Sequence, residues 1–448
     1  METEVVFFSI GIITIIGYIA SNIFDRTGIP DTPFLIILGF IAAAFIARTA
    51  STAPDQESLS LTLVQIAPYL STLAIAVILF NGGMYLKIRQ VIEETPRGFF
   101  VTSTSVIITI FVLTVVGYLI NYFVFDQSWG IITGGEYYWL GRDALLASLF
   151  FGAALCGTSS AVIIPLVNKL NLNKKAETFL TIESAFTDVF VVVLSVTILS
   201  IYTGTSNPES SDGVSSILLQ GIAGKFSIGI VFGILGGLIW LKILQSFPIR
   251  VSRIASQQDV THDDILTLTT CLMLYGFSEM SGGNGALAAL CFGLVLGNGK
   301  EFGFIPSFRD NPVDAGSLMR KFQGQISFLL TTFFFVYLGM IFEPATKIIL
   351  LGVFITGLLV VARNLSFRIT LKKDKSMMKN LPLLSSLLPR GLAAAAVSQL
   401  PSTLGYEWPY MQQLVISVII FSVVAAAIGS YVYGRSEEVE TQPITPNS

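Results

Sequence analysis

The chain has 448 residues, of which 53% are hydrophobic and 12% charged, with a net charge of -3 and a mean hydropathy of +0.74. Soluble proteins carry about 25% charged residues, so this composition belongs in a bilayer. At roughly 20 residues per crossing no sizeable soluble domain is left over. The small net charge and the lack of a basic stripe exclude nucleic acid as a partner.

In chain order, apolar runs predict spans at 5–24, 33–47, 62–83, 98–124, 144–167, 177–202, 217–245, 265–281, 284–298, 322–342, 347–369, 380–402 and 411–433. The first follows Glu2 and Glu4 without a small-residue cleavage pattern, as a signal anchor or first helix would. Cys156, Cys271 and Cys291 fall inside apolar runs and read as buried thiols. The fold class expected is an all-α polytopic membrane protein of thirteen transmembrane helices.

Basic residues test that count. With the N-terminus outside, 20 of the 26 Lys and Arg residues fall on inner segments, three on outer ones (Arg48, Arg142, Lys347), and three within spans (Lys225, Arg363, Arg390). The positive-inside bias therefore supports both count and orientation, with the C-terminus cytoplasmic. Thirteen spans also permit two inverted six-helix repeats, 1–203 and 261–433, joined by a linker and connecting span at 204–260, with a short disordered tail at 434–448. In that register the fifth span pairs with the twelfth and the sixth with the thirteenth.

The fifth span carries Gly157-Thr158-Ser159-Ser160 at its middle, residues of weak helix preference whose hydroxyls compete for backbone hydrogen bonds. Its partner carries Pro389-Arg390-Gly391, where proline removes a donor and glycine loosens the helix. Both spans are expected to break near the midplane. Arg390, about ten residues deep, needs a buried anion.

The sixth span supplies anions in "FLTIESAFTDVFVVVL". Helical spacing puts Glu183 with Thr187 on one face and Ser184 with Asp188 on another, and turns the two carboxylates about 140° apart. The expectation is that Glu183 pairs with Arg390 as a lock between repeats. Asp188, with Ser184 beneath it and the Thr158 break opposite, would take a proton or a dehydrated cation but not both.

These stretches, together with "TGIPDTPFLIILGFIA", "LAIAVILFNGGMYLKI", "GNGALAALCFGLVLGN", "FFFVYLGMIF" and "LLPRGLAAA", give the chain a resemblance along nearly its whole length to NhaP-type sodium/proton exchangers of the monovalent cation/proton antiporter superfamily. The resemblance implies a homodimer with a scaffold domain and a mobile six-helix core working by alternating access. It puts the family's essential acid on Asp188, its serine on Ser184, its ion-paired Glu and Arg on Glu183 and Arg390, and the threonine at the crossing of the broken helices on Thr158. The chain departs from the family pattern at Ser159, where a carboxylate is common, at Thr187 in place of Asn, and at Asn81, where some members carry Glu; "TSSA" leans towards Kef-type potassium/proton exchangers.

The function expected is exchange of a monovalent cation, Na+ first and K+ as the alternative, for a proton. With Asp188 the lone exchangeable carboxylate, the exchange would be electroneutral. Ligands expected around the ion are Asp188, Ser184, Thr158, Ser159, Thr187 and Asn81. No cofactor beyond the ions is implied. An enzyme is disfavoured by the lack of a His/Glu metal cluster or a G-x-S-x-G motif; a channel would need a continuous polar pore, and a non-transporting sensor would leave the charges purely structural. The location implied is a prokaryotic cell membrane. His262 reads as a solvated loop residue, Lys225 and Arg363 as snorkelling towards the two faces, and Gly229, Gly233 and Gly237 as a small-residue face for either dimer or internal packing.

Overall fold

The computed structural model describes residues 3–27, 32–49, 72–124, 142–170, 172, 174–203, 214–246, 262–304, 317–372, 374–406 and 408–440. Among them every regular element is helical: α1 Thr3–Thr27, α2 Thr32–Thr49, α3 Thr72–Tyr85, α4 Ile88–Phe123, α5 Arg142–Ala154, α6 Ser160–Lys169, α7 Lys174–Tyr202, α8 Val214–Ser246, α9 His262–Met280 and α10 Gly285–Gly297. A 3-10 turn at Gly299–Phe304 precedes α11 Ser317–Met340, α12 Thr346–Thr370, α13 Lys375–Lys379, α14 Leu381–Ser386, α15 Leu392–Ser398, α16 Leu400–Thr403 and α17 Met411–Glu440. Six described segments are long and apolar enough to cross a membrane: Gly98–Phe123, Phe179–Tyr202, Gly224–Leu244, Met319–Met340, Thr346–Thr370 and Met411–Val432. Their bare flanks suit lipid, with Phe111, Ile107, Leu350 and Val361 all exposed.

Both expected breaks are present. The fifth span opens between α5 and α6 at 155–159, and the twelfth between α14 and α15 at 387–391. The "SGGNG" stretch separates α9 from α10. At the C-terminus the expected disordered tail differs from the observed chain, because α17 continues to Glu440. Residues 435–440 include good helix formers and no proline, and Gly434 within a helix costs only about 1 kcal/mol.

The residues cluster into two compact units. Unit 1 gathers α1, α2, α4 from Arg97, α5 to α7, and everything from Thr332 onwards; unit 2 gathers α3, the start of α4, α8 to α10 and α11 up to Thr331. These are groupings by contact, distinct from the division by repeat.

In unit 1, α7 is packed on by α5, α6 and α15, while α12, α14 and α17 pack on one another. Val101, Ile163, Leu166, Phe179, Leu180, Phe367, Leu371, Leu384 and Leu387 form a buried apolar cluster, with the Phe179 and Phe367 rings edge to face at 5.9 Å. Burial of a large side chain of this kind contributes about 1.5–3 kcal/mol, which fixes the N-terminal part of α7 and the C-terminal part of α12 against α14.

In unit 2, α10 lies on α8 and α9. The small face of α8 makes that approach possible: side chains at Gly229, Gly233 and Gly237 would run into Asn284, Ala288 with Cys291, and Val295 respectively. Of the two readings of this stripe, internal packing is what is observed. The three cysteines are free and buried, as their apolar surroundings imply.

Candidate cation site

The two breaks of unit 1 meet. Ser159 N–H donates to the Pro389 carbonyl at 2.7 Å, so one interruption partly satisfies the other, as backbone at membrane depth requires. The approach depends on Gly391, where a Cβ would collide with the Ser159 side chain, and on Gly157, where a Cβ would lie 2.7 Å from the Thr187 carbonyl oxygen of α7. Small residues sit here because two unwound backbones must nearly touch.

Around this crossing α7 presents its polar residues in two directions. Asp188 reaches the N-terminus of α6, where its Oδ2 accepts from Ser160 N at 3.1 Å and from Ser160 Oγ. The free amides and dipole at a helix N-terminus favour a negative charge. Ser184 Oγ donates to the Thr158 carbonyl at 3.2 Å, and Thr187 Oγ1 accepts from Thr158 N at 3.0 Å. Asp188, Ser184, Thr158 and Thr187 are thereby gathered within one hydrogen-bonded patch. Ser159 joins it through its backbone bond to the second break.

Accessibility separates these groups. Thr158, Ser159, Ser160, Glu183, Ser184, Thr187 and Arg390 are all at most 2% exposed, whereas Asp188 is half-buried. Among them the carboxylate that no cation neutralises is also the one with access. Asn81 lies on α3 of unit 2, half-buried, its Oδ1 without a partner among the described residues.

Glu183 borders the same patch, its Oε2 accepting from Thr158 Oγ1 at 3.5 Å, and here the structure corrects the sequence reading. Its partner is Arg363 and not Arg390: Nη1 to Oε1 and Nη2 to Oε2 are both 2.8 Å, a bidentate fork. The same guanidinium donates from Nε to the Leu384 carbonyl at 3.0 Å and stands 4.5 Å over the Phe367 ring. Arg363 does not snorkel; it is 3% exposed and joins α7, α12 and α14. The reason lies in register: Gly352, Ile355, Thr356, Leu359, Ala362, Ser366 and Phe367 form the buried face of α12, and Arg363 falls on it. A charge in the middle of an i, i+3, i+4 apolar stripe was the signal available in the sequence.

Arg390 is buried within electrostatic reach of Glu183, Arg363 and Cys156. Its backbone N–H donates to Ser422 Oγ of α17 at 2.9 Å, while its Nε and Nη1 have no hydrogen-bond partner among the described residues. With Glu183 committed to Arg363, the crossing holds one carboxylate and one guanidinium that are not joined to each other by a hydrogen bond among the described contacts. Their charges balance only while Asp188 is ionised and empty.

The chain is similar to proteins already known. A family model described as sodium/hydrogen exchanger, transmembrane, matches residues 11–430. A protein named Na(+)/H(+) antiporter 1 from Methanocaldococcus jannaschii is 26% identical over 415 residues, covering 89% of this chain and 83% of that one. A protein named K(+)/H(+) antiporter NhaP2 from Shewanella sp. (strain ANA-3) is 28% identical over 293 residues, 65% of this chain, and the chain spans only 44% of its length. The solved structure of the sodium proton antiporter MjNhaP1 from Methanocaldococcus jannaschii at pH 8 superposes with a TM-score of 0.71 at 20% identity, covering 97% of this chain and 99% of that one.

Proposed function

Since the chain belongs to the transmembrane sodium/hydrogen exchanger family, we propose that it is a secondary transporter exchanging one monovalent cation for one proton at Asp188. The observation that carries this is the contrast at the crossing: Glu183 is neutralised by Arg363, while Asp188 is held only by neutral donors of Ser160 and alone has access. A carboxylate so placed binds a proton or a partly dehydrated cation, and the two exclude each other. Ser184, Thr158, Ser159 and Thr187 supply oxygen atoms around it, the hard ligands such a cation prefers. The Glu183–Arg363 clamp is structural.

One carboxylate trading one cation for one proton moves no net charge. Exchange is therefore electroneutral. Na+ is the first choice of substrate; K+ is the second reading, favoured by the relatives named K(+)/H(+) antiporter and by the missing carboxylate at Ser159. No cofactor beyond the transported ions belongs to this reading. The positive-inside distribution of Lys and Arg supports an N-terminus outside and a cytoplasmic C-terminus, in a prokaryotic cell membrane. The matching positions of the two breaks support inverted repeats. A homodimer, implied by the family resemblance, completes the proposal and is checked by mass measurement in detergent.

The test is pH-dye dequenching in proteoliposomes on addition of Na+, K+ or Li+. Dequenching with at least one cation, unaffected by clamping the membrane potential, is the expected result. A current that scales with membrane potential would overturn electroneutrality, and no dequenching with any cation would overturn exchange.

A further inference from the structure

Along α7, Ser195 lies seven residues beyond Asp188 and Tyr202 seven beyond Ser195, each step returning within about 20° of the same face. The two ends of this stripe are located. Asp188 is at the crossing against Ser160, and Tyr202 packs on Trp408 with ring centroids 4.9 Å apart, receiving the indole N–H at 3.3 Å. Ser195 stands between, about 10 Å from the crossing at 1.5 Å per residue.

The second broken helix rises beside it. α15 packs on α7, α5 and α17, starts at the crossing where Gly391 abuts Ser159, and carries Gln399 at its C-terminal end, about 12 Å along. By these rises Ser195 and Gln399 each lie about 10–12 Å from the crossing, along helices that pack on each other and lead towards an aromatic cluster. That cluster is closed: Phe150 meets Trp408 at 5.2 Å, Tyr202 meets Tyr406 at 5.3 Å, and Tyr202 and Trp408 are 8% and 7% exposed.

At that distance polar groups stand without partners. Ser195 is 0% exposed and Gln399 4%. Among the described residues the Ser195 hydroxyl and both Oε1 and Nε2 of Gln399 make no hydrogen bond. An unpaired buried amide or hydroxyl costs on the order of 1–3 kcal/mol, a cost that a polar guest removes. Three such atoms, about 10–12 Å from the crossing along two packed helices, offer ligands to a polar occupant.

We propose that Ser195 and Gln399 form a staging site for a partly hydrated monovalent cation, one stop before Asp188 and beneath the Trp408–Tyr202 roof. The amide and hydroxyl oxygens replace part of the water shell, and the amide N–H groups hold a remaining water. The site rests on the exchange reading above, since it lies on the path to Asp188. It carries no charge, so it lowers the barrier to dehydration without trapping the ion.

The experiment uses the full chain in proteoliposomes, with Na+ dependence measured in each direction for wild type, Ser195→Ala and Gln399→Leu. For Na+ entering from the Trp408 face, KM rises about fivefold at unchanged maximal rate, the equivalent of about 1 kcal/mol for one lost neutral ligand. By microscopic reversibility, flux in the opposite direction loses maximal rate by the same factor at unchanged KM. Unchanged kinetics in both variants, or a loss of maximal rate in both directions alike, overturns the proposal. A second measurement is independent of turnover: Ser195→Cys is labelled by a small cationic methanethiosulfonate, and Na+ slows the labelling, also in an Asp188→Asn background. Labelling without Na+ protection, as for a site holding water alone, or no labelling at all, overturns it. If wild type exchanges no cation while that protection persists, the exchange reading fails, the staging role falls with it, and what remains is a cation site at Ser195.

Discussion

Both units of this protein interrupt a helix, and they treat the interruption differently. In unit 2 the break between α9 and α10 is closed by its own neighbours. Asn284 Oδ1 accepts from Leu287 N, Glu279 Oε1 accepts from Gly285 N, and Gly283 and Asn284 donate their N–H groups to the Ser278 and Lys225 carbonyls. α10 then packs with all but two of its thirteen residues buried. In unit 1 the breaks satisfy each other only in part, and the side chains of α7 meet them with a carboxylate and two hydroxyls; further along α7 the Ser195 hydroxyl has no partner among the described residues. Where backbone and caps take up a break's own N–H groups it is architecture, even with the Ser278 hydroxyl left without a partner among the described residues; where side-chain oxygens gather around a half-buried acid it suits an ion.

The largest expected effect tests the working break. Asp188→Asn abolishes cation-driven proton movement while the protein keeps its wild-type melting temperature, read by dequenching and by thermal shift; residual proton-coupled exchange would remove Asp188 from the site. Next come the two arginines. Arg363→Met strands Glu183 as a buried unpaired charge and destabilises by about 3–5 kcal/mol, whereas Arg390→Met removes a guanidinium with two unpaired nitrogens and changes stability by less than about 1 kcal/mol. Equal destabilisation by both, measured by chemical or thermal unfolding in detergent, would show that Arg390 has a partner as strong as Glu183.

The smaller effects belong to unit 2. Gly233→Leu forces α8 away from Ala288 and Cys291 and costs about 1–3 kcal/mol by overpacking. Asn284→Ala loses a helix cap and costs about 1 kcal/mol. Neither shifts the Na+ KM. A shift in either would mean that the closed break also serves transport.

Much of this was legible in the residues. Gly157-Thr158-Ser159-Ser160 and Pro389-Arg390-Gly391 announce their breaks because helix propensity and missing donors act locally. The divergence of Glu183 from Asp188 follows from five residues of helix. The partner of Glu183 did not follow, because it depends on how far α12 tilts its buried face towards α14, and a span counted by length alone puts Arg363 near the membrane surface. Its place within the apolar stripe of α12 outweighed its depth in the sequence. Ser195 and Gln399 carried no motif; they stand out only when the burial and hydrogen bonds of each polar atom are known.

The bond from Ser159 to Pro389 links residues 230 positions apart at the two unwound points. It acts as a rivet. It ties the two unwound points to each other, and Arg390 stands one residue beyond it, at the same crossing as Asp188. On the exchange reading proposed above, a crossing that moves as one piece keeps the same charges around the cargo whichever way it faces. A difference in affinity between the two sides of the membrane must then come from water reaching the site, and cation affinities measured at equal pH on both sides should converge once hydration is equalised by osmolyte.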